Sequence, residues 1–183
     1  EYNITGPDGT SQSYAKINGK TAKDEMFGEE YISNSYNPTI EGFYAHKYVH
    51  EKFYGFNQFT GFERFNRLYP ISKNPSLYLH QKWTSDSAML ALALKEAKEV
   101  IDSGKNFYTF HQTITPHYPF SVKSNLFPTT NFIGYDEKFS NYLNQISYID
   151  QVLYEFLMVA KEELPNTLFI IYGDHGNTLS KKG

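Results

Sequence analysis

The chain has 183 residues, a net charge of -3 and no cysteine, and 40% of its residues are apolar and 17% aromatic. This composition predicts one globular domain, gives no general attraction to nucleic acid, and excludes disulfides and thiolate metal sites. The lack of cysteine fits either the cytosol or a bacterial surface. There is no apolar run of about 18 residues that could span a membrane and no signal peptide at the start, and since the sequence begins without methionine we expect a piece of a longer chain.

The first half of the chain gives few clear element signals. Residues 1–40 are polar and rich in Gly, Ser, Asn and Thr, which predicts loops with one short helix around residues 23–33. The aromatic stretch "GFYAHKYV", residues 42–49, predicts a strand. The following aromatic stretch, "EKFYGFNQFTGFERFNRLYPI", has no clean period.

The second half reads as alternating helices and strands. A helix is predicted from an N-cap at Ser85 or Asp86 to a stop at Gly104, followed by a strand over residues 106–114 and a proline-rich turn, "TPHYPF". Apolar residues at three- and four-residue steps predict a second helix over residues 136–164. The run "LFIIYGDHG" then predicts a short strand buried on both faces. The alternation predicts an α/β fold with a mostly parallel central sheet flanked by helices.

Asp174 and His175 end the last predicted strand between two glycines. Ligands of open α/β sheets bind beyond the carboxyl ends of the strands, and an Asp oxygen with a His nitrogen suits a divalent ion such as Zn or Mn. The alternative is an ordinary turn with an exposed histidine.

His117 follows another strand and could contact a phosphate or hydroxyl group or donate a proton, or it could simply pack beside Tyr118 and Phe120. His46, His50 and Tyr54 could line a pocket, or His46 and His50 could be ordinary, partly buried histidines.

The loop "TGPDGTSQS" holds Thr10 among glycines and hydroxyl side chains. A hydroxyl near a metal can become a nucleophile, whereas the alternative is a polar linker. The loop lacks the Gly-Lys-Ser/Thr of a Walker motif.

Four stretches in this order, "GTSQS", "GFYAHKYVHEKFYGFNQFTGFERF", "TITPHYPF" and "IIYGDHG", together resemble the alkaline-phosphatase-like sulfatase superfamily. Within it, the chain is most similar to the lipoteichoic acid synthase and phosphoglycerol transferase branch. The similarity runs from about Thr10 to Gly176, and the "HYPF" and "YGDHG" pair is its specific part.

The resemblance implies a role for each matching residue. Thr10 would be the nucleophile and a metal ligand, with Asp174 and His175 as further ligands of a divalent metal, Mn²⁺ first and Mg²⁺ or Zn²⁺ as alternatives. His117 would contact the phosphoryl group or the leaving oxygen. His46 and Tyr54 would line the glycerol-phosphate pocket.

The implied activity is transfer of a phosphoglycerol group from a phospholipid head group to a glycerol-phosphate or glycan acceptor in cell-envelope polymer synthesis. The implied location is the extracellular face of a bacterial membrane, with membrane contact through segments outside this chain and no nucleic-acid partner.

The sequence departs from the family pattern in two places. The family's first metal ligand is an acid that ends an early strand upstream of the nucleophile, and few residues precede Thr10 here. We therefore expect residues 1–183 to be a single, incomplete catalytic domain that lacks this strand and ligand and is inactive by itself. Some relatives also carry an arginine shortly after the pocket aromatic, where this chain has Gly55, so the head group or acceptor could differ.

Two alternatives to the transferase stay open. One is a sulfatase or phosphodiesterase of the same superfamily, although the chain lacks the "C/S-x-P-x-R" motif from which sulfatases make formylglycine. The other is a non-catalytic surface domain that binds a glycan or a partner.

Overall fold

The computed structural model describes the backbone of residues 2–5 and 11–14, and residues 28–118, 120, 126, 129–130 and 132–176 in full. The strands are β1 (Tyr2–Thr5), β2 (Ser11–Tyr14), β3 (Tyr31–Tyr36), β4 (Gln58–Thr60), β5 (Tyr78–His80), β6 (Trp83–Thr84) and β7 (Asn106–His111). The helices are α1 (His46–Tyr48), α2 (Phe62–Leu68), α3 (Asp86–Asp102) and α4 (Glu137–Glu163). Short 3-10 helices lie at Gly28–Glu30, Phe43–Ala45 and Pro75–Leu77, and a π-helix lies at Val49–Tyr54.

The central sheet is parallel and has the order β4-β3-β7. Ser35 of β3 lies between Phe59 and Phe110, and the next residue, Tyr36, lies between Thr60 and His111. Because neighbouring residues of a strand point to opposite faces, these two rows face opposite sides of the sheet. The row of Ser35 faces the π-helix, and the row of Tyr36 faces α3. The predicted α/β fold with a parallel sheet between helices is confirmed.

Of the helix predicted around residues 23–33, the structure describes residues 28–33. Residues 28–30 form a short 3-10 helix, whereas the prediction is wrong for residues 31–33, which begin β3. The polar residues hid this strand: Ser33 and Ser35 are buried but pair with Asn57 and His50 instead of with water. Of the preceding segment, the structure describes an antiparallel ribbon of β1 and β2.

The strand predicted over residues 42–49 is also wrong, because residues 43–54 form a continuous run of 3-10, α and π turns. β3 and β4 are parallel neighbours, so the chain between them must return across the sheet and cannot extend the ladder. The aromatic side chains of this crossover pack on the face of the sheet. The segment therefore has the residue composition of a strand although its backbone is helical.

Helix α3 has the predicted bounds. Ser85 is its N-cap and accepts a hydrogen bond from the backbone N–H of Ala88, and Gly104 follows the helix with a left-handed φ of 80°. One side of α3 joins a buried cluster with β3, α2 and β5, and the other side packs against α4. The first cluster contains Tyr36, Phe65, Tyr78, Met89, Leu92 and Ala93, and the second contains Leu79, Leu90, Ile114, Tyr148, Ile149 and Val152.

A polar network closes the first cluster. Glu96 of α3 accepts hydrogen bonds from the Tyr36 hydroxyl, at 2.5 Å, and from Arg64 Nη2, at 2.6 Å. Burial, followed by the charge of Glu96, raises the pKa of Tyr36, so this hydroxyl stays protonated as a donor. The network ties α2, α3 and β3 together.

Helix α4 has the predicted position, with Asp136 as its N-cap. The buried strand predicted after it is wrong: residues 168–176 form no strand, and Leu168 and Ile170 are 82% and 75% exposed. Phe169 still contacts Phe156 of α4. An apolar run becomes a strand only when a neighbouring strand pairs with it, and no pairing of residues 168–172 occurs within the described part of the chain.

None of the helices in the described residues combines the length and apolar character needed to cross a membrane.

Candidate functional site

The candidate site begins at the carboxyl edge of the parallel sheet, where β3, β4 and β7 end. Asn37 and Gln112 directly follow β3 and β7, and Asn37 Nδ2 donates a hydrogen bond to Gln112 Oε1 at 2.8 Å. Asn37 Oδ1 accepts hydrogen bonds from both the N–H and the hydroxyl of Thr39. These bonds fix the start of the loop that leads to His46. Edges of this kind are the usual ligand positions of α/β proteins.

The "GFERF" stretch braces the same loop. Gly61 passes so close to it that a Cβ atom there would lie 3.0 Å from the carbonyl oxygen of Thr39. The Glu63 carboxylate accepts the N–H of Glu41 at 2.7 Å, and Phe65 is buried in the core. The spacing of glycine, acid and aromatic therefore has a structural cause.

His46 is reached through two residues in an unfavourable backbone conformation. Tyr44 and Ala45 have φ values of 47° and 54°, in the left-handed region that residues with a Cβ seldom occupy. Such strain is retained where the surrounding structure requires it, and it is frequent at functional sites. The His46 ring lies near the rings of Phe43, Tyr44 and Phe59, at 6.0, 6.3 and 6.5 Å between centroids.

Burial lowers the pKa of His46, so its imidazole is neutral at pH 7. Within the part of the chain that the structure describes, its buried Nδ1 has no hydrogen-bond partner. A neutral histidine held by aromatic rings suits contact with an uncharged hydroxyl group better than it suits pairing with a phosphate charge.

His50 lies one helical turn after His46, in the π-helix, with 6.0 Å between the ring centroids. Its Nδ1 is 2.7 Å from the buried hydroxyl of Ser35. Burial, followed by the proximity of His46, lowers the pKa of His50 to about 4. Tyr54 contacts the His50 ring edge-on at 5.3 Å and is partly exposed. The structure therefore brings His46, His50 and Tyr54 into one row, with His50 anchoring that row to the sheet.

His117 lies on the turn after β7, as predicted. Its N–H donates to the carbonyl of Ile114 at 3.0 Å, and its side chain is exposed. Nδ1 lies 2.6 Å from the carbonyl oxygen of Tyr118. Since a carbonyl only accepts, Nδ1 carries the proton, which leaves Nε2 for a ligand.

Asp174 and His175 lie side by side and exposed, with 3.7 Å between Asp174 Oδ2 and His175 Nε2. His175 Nδ1 lies 2.9 Å from the carbonyl of Gly176, which again leaves Nε2 as the ligand nitrogen. Across residues 28–118 and the other described ranges, no three His, Cys, Asp or Glu side chains are grouped to hold a metal. Asp174 and His175 are thus a pair of candidate ligands rather than a complete site.

Thr10 lies outside the described residues. Among the contacts of the described residues, none directly joins His46 to His117, or either histidine to the Asp174–His175 pair. The roles assigned to all these residues stay predictions.

The sulfatase family model matches residues 11–183. The chain belongs to the sulfatase family. The match begins one residue after Thr10 and includes His46, His117, Asp174 and His175. Among curated proteins, no match is found.

Two solved structures have a similar fold. The lipoteichoic acid synthase LtaP from Listeria monocytogenes is 17% identical, with a TM-score of 0.61 over 78% of this chain and 33% of that chain. A protein of the alkaline phosphatase superfamily from Vibrio parahaemolyticus is 20% identical, with a TM-score of 0.57 over 76% of this chain and 31% of that chain. The chain thus spans about a third of the length of either protein, and at this identity the likeness concerns the fold.

Asp86 is the residue of this region that the sequence did not reveal. Its place just before the apolar pattern of α3 suggests a helix cap. However, Ser85 is the cap, and the Asp86 carboxylate binds the turn that carries His117. The contact joins residues far apart in sequence, so no local motif signals it.

Proposed function

We propose that this chain is part of a metal-dependent phosphoglycerol transferase of the cell envelope, which acts on a phospholipid head group at the extracellular face of a bacterial membrane. Thr10 is the proposed nucleophile. Membership of the sulfatase family and a fold like that of LtaP support this proposal. The observation that carries it is the position of His46 and His117, in two separate segments that follow β3 and β7 at the carboxyl edge of one parallel sheet.

The two histidines suit different parts of a phosphoglycerol group. His46 is neutral and enclosed by aromatic rings, and with Tyr54 it would contact the glycerol hydroxyls and carbon atoms. His117 is exposed, with Nε2 left open, and would contact the phosphoryl oxygens or the leaving oxygen.

A divalent metal fits the chemistry of the Asp174–His175 pair, because Asp174 Oδ2 and His175 Nε2 lie 3.7 Å apart. The Gly176 carbonyl pairs with the other ring nitrogen, Nδ1, so Nε2 is the nitrogen that can bind a metal. Asp174 and His175 would hold the ion, Mn²⁺ in our proposal, together with Thr10. When bound, such an ion lowers the pKa of a hydroxyl group and neutralises charge on phosphoryl oxygens.

In the proposed reaction, Thr10 reacts as the alkoxide after losing its hydroxyl proton to water, and it is released as the alkoxide at the end. Its Oγ forms a bond to the phosphorus of the lipid head group as the bond from phosphorus to the diacylglycerol oxygen breaks. Protonated His117 gives its Nε2 proton to that leaving oxygen. The hydroxyl of a glycerol-phosphate or glycan acceptor then attacks the phosphothreonine ester and restores Thr10, and its proton returns to His117. His46 holds the glycerol end throughout, which keeps the phosphorus in line for both attacks.

A hydrolase of the same superfamily is the second candidate. The family description itself, sulfatase, favours cleavage of a sulfate or phosphate ester by water. The two candidates differ in the acceptor, and the missing "C/S-x-P-x-R" motif argues against the formylglycine type.

The test uses the full-length protein with manganese and a fluorescent phosphatidylglycerol analogue in micelles, and compares the wild type with Thr10→Ala and Thr10→Ser. We expect transfer of glycerol phosphate by the wild type, loss in Thr10→Ala, and partial retention in Thr10→Ser, which keeps a hydroxyl. Unchanged activity of Thr10→Ala removes Thr10 from the mechanism. Release to water alone, or cleavage of a sulfate ester, supports the hydrolase. Glycan binding without turnover supports a non-catalytic surface domain.

A further inference from the structure

Asp86 is a fully buried carboxylate at the first position of α3. Its Oδ1 accepts the N–H of Ile114 at 2.9 Å, and its Oδ2 accepts the N–H of Thr115 at 3.0 Å. The Thr115 hydroxyl donates to Oδ2 as well. One side chain therefore binds three donors of two consecutive residues.

The cost of this burial is large. Burial raises the pKa of Asp86, which the hydrogen bonds from Thr115 and Ile114 counteract. A buried carboxylate is retained where its hydrogen bonds are satisfied, and the start of a helix favours its negative charge. The helix does not need this carboxylate as a cap, because Ser85 Oγ already accepts the N–H of Ala88 at 3.2 Å.

The residues that Asp86 binds begin the turn that presents His117. The carbonyl of Ile114 accepts the N–H of His117 at 3.0 Å, and the carbonyl of His117 accepts the N–H of Phe120 at 3.1 Å. Ile114 and Thr115 are buried, whereas His117 is exposed. The carboxylate thus fixes the buried base of a turn whose exposed tip carries the histidine.

We propose that Asp86 is a positioning residue for His117: it holds the backbone of Ile114 and Thr115 so that His117 meets the phosphoryl group in one orientation. This inference rests on the proposed function, because it assigns His117 to the reaction. Asp86 itself touches no substrate.

The experiment measures the full-length protein in the same phosphatidylglycerol assay and follows hydrogen exchange of residues 113–118 by mass spectrometry. Asp86→Asn keeps the size but replaces one acceptor oxygen with a donor. Thr115→Val removes the hydroxyl, and Thr115→Ser keeps it. Ser85→Ala is the matched control, since it weakens the start of the same helix without touching the turn.

We expect Asp86→Asn to lower kcat/KM about 10- to 100-fold, the scale of a misplaced catalytic group, with faster exchange of the turn. The effect should lie mainly in kcat. Thr115→Val should lower kcat/KM by a smaller factor than Asp86→Asn does, and Thr115→Ser should restore it. The kcat/KM of Ser85→Ala should stay within about twofold of the wild-type value.

A double-mutant cycle separates positioning from general damage. In a His117→Ala background, Asp86→Asn should cause no further loss, because the group that it positions is gone. An equal loss in both backgrounds overturns the proposal, as does wild-type exchange of the turn in Asp86→Asn. If Asp86→Asn does not fold, Thr115→Val takes its place in the cycle with His117→Ala, and an equal loss in both backgrounds again overturns the proposal. Absence of turnover in the wild type instead overturns the proposed function, and the exchange measurement still decides whether Asp86 holds the turn.

Discussion

Segments 106–111 and 168–172 are both rich in apolar and aromatic residues and both follow a long helix, yet only the first is a strand. β7 pairs with β3 over its whole length, and its following turn is bound by a buried carboxylate. Residues 168–172 contact α4 through Phe169 and leave four of their five side chains exposed. Composition sets the tendency to extend, whereas a paired neighbour makes the strand.

The largest expected effect lies in the packed region. Met89 of α3 is fully buried between Tyr36, Phe65 and Tyr78. Met89→Ala should lower the free energy of unfolding by about 2–5 kcal/mol, through lost burial and a cavity. Urea denaturation measures this value, and a loss below about 1 kcal/mol would show that the cluster is loosely packed.

The second effect is the pH dependence of stability that His50 should cause. The pKa of His50 is about 4 in the folded protein, below its ordinary 6.5, so protonation favours the unfolded chain. The contribution of neutral His50 to the free energy of unfolding is therefore fully present above pH 6.5. It is lost as the pH falls toward 4, and the loss amounts to at most about 3 kcal/mol. Urea midpoints between pH 7 and 4 should fall less steeply in His50→Gln. Parallel curves for both proteins would show that other groups cause the acid sensitivity.

The start of α4 should show a smaller effect. Asp136 accepts the N–H of Phe139 at 2.8 Å at an exposed helix end. Asp136→Ala should cost about 1 kcal/mol in thermal or urea unfolding, whereas Asp136→Asn, which retains a capping oxygen, should stay close to the wild type. Equal losses in the two variants would assign the effect to charge rather than to capping.

The smallest effect is expected in the exposed segment. Ile170 is 75% exposed, so Ile170→Ala should change the free energy of unfolding by less than about 0.5 kcal/mol. This variant is the counterpart of Met89→Ala. A loss of about 2 kcal/mol or more would show that residues 168–172 are buried in the folded protein, as the sequence alone predicts.

Local signals predicted much of the fold. The Ser85 cap, the Gly104 stop and the apolar spacing of α4 are all set within a few residues, and the structure has them as expected. β3 was missed because its buried serines take their partners from residues far along the chain, and the helical turns around His46 were missed because a crossover is imposed by β3 and β4 together.

The candidate site likewise has features that the sequence predicts and features that only the structure shows. His46, His117, Asp174 and His175 came from sequence patterns, and the strained backbone before His46 and the open Nε2 of His117 came from the structure. The hold of Asp86 on the turn depends on tertiary packing and has no sequence signature.

In the proposed function, His117 serves phosphoryl transfer from a lipid head group at the carboxyl edge of the sheet. The most direct test is manganese-dependent transfer of glycerol phosphate from phosphatidylglycerol by the full-length protein, comparing His117→Ala with His80→Ala. His80 is an exposed histidine whose ring lies tilted against that of Trp83 in the β5–β6 hairpin, and it serves as the matched control. We expect kcat/KM to fall at least about 100-fold in His117→Ala and less than about twofold in His80→Ala. Equal activity of the two variants would show that His117 takes no part in the transfer.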